Sequence, residues 1–436
     1  MGNNIDFFIK QTSFFSLAYI VIDKKLSYVF SHNSAQLNVG DIYLATITSK
    51  QANIGVFFVK INNHTNTMLE INDHNKHLPL GAKILVQIKK EAMGEKLAVV
   101  SQDIVMLGLL ANYKPTLLKN NFHKNIDEEQ KNQINEIVKN GVIVKTSYNY
   151  NLFSQLLLEV ETLKNLYNDI LKQKEVGLLY KYSFLSGILF KNPQLIPSNI
   201  FYTNANTLQS INDLKENYNF LKFTVKYLMH KEVEFLNEEL ATYLHTNFIV
   251  NDNINLHFTI SNHFNYIDVN YSGGDNLANK KEEAIKKANI SALPDIVNHI
   301  LLRNLSGQIL VDLLKLSNKS YKNHILEAIK KLFKNDALKT HILGFSNLGI
   351  LEISRQKQGE ALDFILNDDK FICFNLINLI YLKLQQNKSE ITLQCNQIFY
   401  NTFIILAKGE IEEIKEKYKL LVSFDINEAY TNPNIK

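Results

Sequence analysis

A chain of 436 residues, 46% hydrophobic and 21% charged, has the length for two or more substructures, so the starting expectation is a multi-domain globular protein. Its net charge of +4 and pI near 8.6 permit a polyanionic partner without requiring one. Cys373 and Cys395 are too few for a disulfide framework or a four-thiolate zinc site, and read as buried thiols in a reducing compartment. The run FFSLAYIVI is too short to span a bilayer and has no cleavage site after it. MGNNID lacks the Ser or Thr of a myristoylation signal, so no membrane attachment is expected.

From Ile20 to about Val105, short β-branched and aromatic runs (LAYIVI, IYLATIT, VFFVKI, KILVQI, KLAVVS) alternate with Asn, Gly, Asp and Lys, predicting a small five-stranded barrel. Between Asp127 and Phe190 the β-like GVIVKT is followed by helical periodicity in LFSQLLLEVETLKNLYNDILKQ, a separate α+β unit. The polar, turn-rich stretch near Pro197 marks a boundary, and Leu221 to Tyr243 reads as strand then helix. From Asn253 to Ser354 the order is strands INLHFTI and FNYIDVN, a helix to Leu302, a strand QILVDLL, a helix to about Phe333, then strands THILGFS and GILEISR. Beyond Gln358 the chain looks helical and apolar apart from a strand-like EITLQ.

Asp268 and Asp312 each end an otherwise apolar strand, and buried strands rarely finish on a charge without a partner. If the two strands were neighbours in one sheet, the carboxylates would share an edge, where hard oxygen ligands hold hydrated Mg²⁺ against a phosphate. The alternative is that each Asp caps the segment after it. His230, His257, His263 and His299 show no metal-binding spacing on one helix and read as surface or satisfied core residues. The glycines of SGG at Ser272 to Gly274 are too few and misplaced for a phosphate-binding loop.

The stretches YIDVN, KKANISA before a helix ending LLRNLSG, QILVDLL and LGILEISRQ resemble, in that order, the catalytic region of the ribonuclease E/G family. GDIYLATITSKQANIGVFFVKI and LGAKILVQIKKEAMGEKLAVVSQDI resemble that family's RNA-binding barrel, so the likeness covers about residues 1 to 360. It implies an α+β multi-domain fold: an RNase-H-like noncatalytic unit from 1–36 with 198–250, an OB-type RNA-binding barrel at 37–110, a 5′-sensor-like α+β unit at 111–197 and a DNase-I-like catalytic unit at 251–365. Residues 366–436 form a mostly helical region outside the likeness.

The resemblance further implies an endoribonuclease cutting single-stranded RNA to 5′-phosphate and 3′-hydroxyl ends, in ribosomal RNA processing or messenger RNA decay in a bacterial-type cytoplasm. Asp268 and Asp312 would hold Mg²⁺, or Mn²⁺ in its place, and Asn270 would orient them. On the barrel, Phe58 falls on the base-stacking position and Met68 on a second one without a π face, while Lys90 and Lys96 fall on phosphate-approaching positions. Lys145 and Thr146 fall on the pocket that reads a 5′-monophosphate, where lysine gives a point charge in place of the family's bidentate arginine.

Several positions depart from the family. The zinc-linking cysteine pair is absent, so no structural zinc is expected and any homodimer would need another interface. The basic residue after DVN is replaced by YSGGDN, an acid six residues before Asp268 is Asn262, and Lys315 stands where relatives often carry an acid. These changes motivate an alternative, a catalytically weakened RNA-binding paralogue. A DNA-cutting nuclease is the third reading.

Overall fold

Strands with alternating apolar side chains must bury one face, and the described residues do so in five separate sheets. The computed structural model describes residues 4–34, 36–62, 64–92, 96–251, 253–261, 263–271, 282–336, 338–357, 359–366, 368–386, 388–430 and 433–435. The chain divides into two units, residues 1–34, 197–209 and 222–436 in one, and 35–196 and 210–221 in the other.

In the second unit, strands Ile42–Gln51, Val56–Lys60, Asn66–Glu70, Lys83–Lys90 and Val99–Ser101 form a five-stranded barrel of OB type. It closes because Ile42–Gln51 pairs with Val56–Lys60 on one side and Lys83–Lys90 on the other. Every second residue faces inward, and Ala45, Ile47, Phe57, Val59, Leu69, Val86, Ile88 and Val100 fill the interior. Membership differs from expectation at one strand. LAYIVI lies in Phe15–Ile22 of the other unit, where it is buried on both faces, and the barrel's fifth strand is Asn66–Glu70. That strand is short and half polar, so its alternation gives a weak signal in sequence. A strand Gly177–Tyr180 extends the barrel sheet beside Ile42–Gln51. A small sheet of Ala111–Tyr113, Val142–Val144 and Asn121–Phe122 packs with the helix Phe153–Leu171 around Leu110, Val142, Val144, Leu156 and Val160.

The first unit holds a five-stranded sheet in the order Thr224–Tyr227, Asn199–Tyr202, Ile5–Gln11, Phe15–Ile22, Lys25–Asn33. It also holds a six-stranded sheet in the order Asn247–Asn251, Ile254–Ile260, Phe264–Tyr271, Gly307–Asp312, Leu351–Arg355, Thr340–Phe345. Only the central pair, Phe264–Tyr271 with Gly307–Asp312, is parallel. Parallel neighbours need a long crossover, and it contains the helix Glu282–Leu302. Two residues past that helix, Asn304 adopts φ 52°, a left-handed turn that a short polar side chain tolerates. Together with Lys319–Leu332 the helix covers one sheet face, packing Leu293, Ile296, Ile300, Ile325 and Ile329 against Ile267, Val269, Ile309 and Val311.

The region after residue 366 holds the two expected helices and the strand expected at EITLQ, and adds strands not expected from sequence. Between helices Asp369–Gln385 and Gln397–Tyr418 runs the buried strand Glu390–Cys395, which pairs in parallel with Leu421–Ile426 and antiparallel with Asn434–Ile435. Lys419 adopts φ 53° and stops the second helix, and the strand Leu421–Ile426 follows. Cys373 and Cys395 are both buried in this core. Among the described residues no helix is long and apolar enough to cross a membrane.

His299 departs from the expected surface or satisfied core histidine. It is fully buried, caged by Tyr243, Phe248 and Phe258 with ring centroids 4.9, 4.4 and 4.5 Å away, and among the described residues neither ring nitrogen has a hydrogen-bond partner. Burial first, then the positive charges of Arg303 and Lys25, pull its pKa from the ordinary 6.5 to about 3. A neutral ring is therefore built into the fold. Because the folded pKa lies below the unfolded one, this stability is complete above pH 6.5 and declines as pH falls toward 3, at up to about 1.4 kcal/mol per pH unit. His299→Phe is expected to flatten that decline, checked by urea unfolding between pH 4 and pH 7.

Candidate metal centre and nucleic-acid interface

The register of the two parallel strands decides the site. Tyr266 pairs with Leu310, Ile267 with Val311 and Asp268 with Asp312, so the two carboxylates are direct lateral neighbours. With period-two alternation, Ile267 and Val311 face the helices, while Tyr266, Asp268, Asn270 and Asp312 lie on the opposite face, half-buried or exposed. Two like charges side by side favour a cation between them.

Each carboxylate has one oxygen held. Asn270, two residues along the same strand face, donates from Nδ2 to Asp268 Oδ2 at 2.8 Å. Tyr266 donates its phenol to Asp312 Oδ2 at 2.8 Å. Burial, then the hydrogen bond and negative charge of Asp312, with Asp268 adding to them, push the Tyr266 phenol up to about 12, so it stays a donor at neutral pH. Among the described residues the Oδ1 atoms of both acids carry no hydrogen bond. Two carboxylates each offering a single oxygen match how Mg²⁺ is usually held, with waters and substrate phosphate completing an octahedron. Among the described residues no third His, Cys, Asp or Glu joins them. His257, the antiparallel register partner of Asp268, instead shares a 2.7 Å hydrogen bond between its Nδ1 and Asn247 Oδ1.

The loop after Asp312 is clamped by residues that sequence reading passed over. Asn289, fully buried in the crossover helix, donates to Leu314 O at 2.8 Å and accepts from Leu314 N at 2.9 Å. Glu282 Oε1 accepts from Ser317 N, Ser317 Oγ and Asn318 N at 2.6, 2.6 and 2.7 Å, and the Ser317 hydroxyl foremost holds its carboxyl below the usual range. At the other end of the strand, Arg355 forks onto Asp336 at 2.8 and 3.1 Å and donates to Leu305 O at 3.0 Å. A polar Asn inside an otherwise apolar helical stripe was the signal available in sequence. Lys315 is exposed in the clamped loop, whereas Asn262 and Ser272 to Gly274 lie outside the described residues.

On the barrel, Phe57 points into the core and Phe58 outward. Register then places Phe58 beside Met68, Met68 beside Val99 and Val99 beside Lys90, a single lateral row across four strands. The row sets one outward aromatic ring, Phe58, beside Met68 and Val99 and ends in the exposed Lys90. Lys96 is also exposed, next to residues 93–95 that lie outside the described ones.

Lys145 and Thr146 do not come together as a phosphate pocket. The Lys145 ammonium donates to Gly108 O at 2.5 Å and Phe190 O at 2.7 Å, and burial pulls its pKa down to about 8 against the pull of Glu159. The nearby backbone amides of Leu109, Leu110 and Ala111, which would suit an anion, already donate to the Glu159 carboxylate at 2.5, 2.8 and 2.8 Å. Gly108 makes this possible, since a Cβ there would lie 2.6 Å from that carboxyl group and 2.5 Å from Ala111 O. Thr146 is exposed. Lys145→Ala should lower unfolding free energy by about 1–3 kcal/mol, because it leaves the carbonyls of Gly108 and Phe190 without their donor. Denaturant titration checks this.

Residues 109–358 match the ribonuclease E/G family model. Ribonuclease G of Haemophilus influenzae is 25% identical over 67% of this chain and 63% of its own length. A ribonuclease E/G-like protein of Pyropia yezoensis is 30% identical over 29% of this chain and 23% of its own, and ribonuclease G of Escherichia coli is 29% identical over 21% and 19%. The chain thus spans less than two thirds of each of these relatives.

Proposed function

The chain belongs to the ribonuclease E/G family, and from that premise we propose that it is a metal-dependent endoribonuclease that cuts single-stranded RNA. The observation that carries this reading is the direct register pairing of Asp268 with Asp312, each with one oxygen tied and the other, among the described residues, free of hydrogen bonds. These two acids would hold Mg²⁺, or Mn²⁺, with Asn270 fixing the rotamer of Asp268. When bound, the ion supplies Lewis-acid neutralisation of a phosphodiester and a water of lowered pKa for in-line attack, leaving 5′-phosphate and 3′-hydroxyl ends. The chain's own part is to keep both carboxylates aimed, which the Asn289 and Glu282 clamps serve by fixing the loop that follows Asp312.

Unpaired RNA is the proposed substrate because bases must splay to stack on the Phe58–Met68–Val99 row while Lys90 meets the backbone. Lys96 is the second proposed phosphate contact. For Lys145 and Thr146 the geometry favours cleavage indifferent to the 5′ end, since Glu159 occupies the amide cluster and the Lys145 ammonium is committed to carbonyls.

A fluorescent AU-rich single-stranded RNA, incubated with Mg²⁺ or EDTA, tests the activity. Cleavage is expected only with Mg²⁺, and Asp268→Asn and Asp312→Asn should each abolish it while retaining RNA binding. Tight binding without cutting by the unaltered protein would favour the weakened, RNA-binding paralogue, and equal cutting of matched DNA would overturn the RNA specificity. Phe58→Ala should weaken RNA binding by about 1–3 kcal/mol, measured by fluorescence anisotropy. RNAs with 5′-monophosphate and 5′-hydroxyl ends should be cut at the same rate; a strong preference for the monophosphate would restore Lys145 and Thr146 as a sensor.

A further inference from the structure

The carboxylate edge is held by two donors of different origin. Asn270 reaches its own strand's Asp268, an i, i+2 pair on one face. Tyr266 reaches across to the next strand. Its lateral partner is Leu310, so Asp312 is its diagonal neighbour, about 7–8 Å away by backbone, a gap that only a long side chain closes. The phenol does so with a donor at its tip. Ser or Thr would fall short, and Phe would reach without donating.

This bond lies on the sheet face away from the helical core, where Tyr266 is half-buried and a hydrogen bond contributes little to net stability. What it does is choose: with Oδ2 occupied, Asp312 presents Oδ1 alone, on the edge it shares with Asp268. An unrestrained aspartate would sample rotamers and offer either oxygen, and a small hydrated cation tolerates little ligand disorder.

Resting on the metal-centre reading above, we infer that Tyr266 is a positioning residue that pre-orders Asp312 for a divalent cation by holding its second oxygen from the adjacent strand. Tyr266 does not touch the reacting atoms in this assignment. Its effect is on occupancy of the site and not on the chemical step.

The test is Tyr266→Phe beside Asp312→Asn in the full chain, with Mn²⁺ alone as probe, titrated by calorimetry and by electron paramagnetic resonance of free Mn²⁺. Tyr266→Phe is expected to weaken Mn²⁺ binding roughly tenfold and to raise the metal concentration for half-maximal RNA cleavage by the same factor, with kcat at saturating metal and RNA affinity in EDTA within about twofold of the unaltered protein. Its thermal midpoint should stay in place, which separates positioning from a fold defect. Mn²⁺ affinity unchanged or tighter in Tyr266→Phe, with binding lost in Asp312→Asn, would overturn the role of Tyr266 and leave the metal centre standing. Binding unchanged in both variants would overturn the metal centre itself, and this inference with it.

Discussion

The parallel pairing of Phe264–Tyr271 with Gly307–Asp312 is the constraint on which the candidate site rests. Side chains alternate faces along a strand, so a slip of one residue would send Asp312 into the helical core and bring Val311 to the open face. The core prevents that slip. Ile267, Val269, Ile309 and Val311 must all meet the two covering helices, and that demand fixes which residues stand opposite one another. The energy that aligns the carboxylates is therefore apolar burial on the far side of the sheet, not any attraction between the acids, which repel each other.

Around that pair, polar contacts act at the strand ends where burial cannot. Arg355 and Asp336 secure the entry to Gly307–Asp312, while Asn289 and Glu282 secure the exit. Buried polar groups of this kind are worth most when fully satisfied, and Asn289 meets both the donor and the acceptor of Leu314. The same logic read in reverse explains the Lys145 region. There the basic residue and the amide cluster that could have met a phosphate are satisfied by carbonyls and by an internal carboxylate. An anion supplied from within the chain makes the region a structural joint.

His299 shows the opposite situation. A titratable ring packed among three aromatic side chains, with Arg303 over the face of Phe258 at 4.5 Å, is held neutral at the cost of acid stability. It lies in the crossover helix that links the two acid-bearing strands, so the helix that brings them together carries the most strongly depressed histidine pKa among the described residues.

By itself the sequence determined the parts whose signal is local. Apolar alternation showed the barrel strands other than Asn66–Glu70, and acids on apolar strands singled out Asp268 and Asp312, although only Asp312 ends its strand and Asp268 lies three residues before the end of Phe264–Tyr271. Helical periodicity drew the crossover helix to its observed end at Leu302. The order of matching segments pointed to the family to which the chain belongs. Tertiary structure alone decided what depends on which strands become neighbours. It made a strand of Leu421–Ile426, set Tyr266 diagonal to Asp312, and spent Lys145 on carbonyls. The physical reason is that periodicity records which side of an element is buried, whereas register and hydrogen-bond partners are set by residues tens of positions away, and a single chain carries no local trace of them.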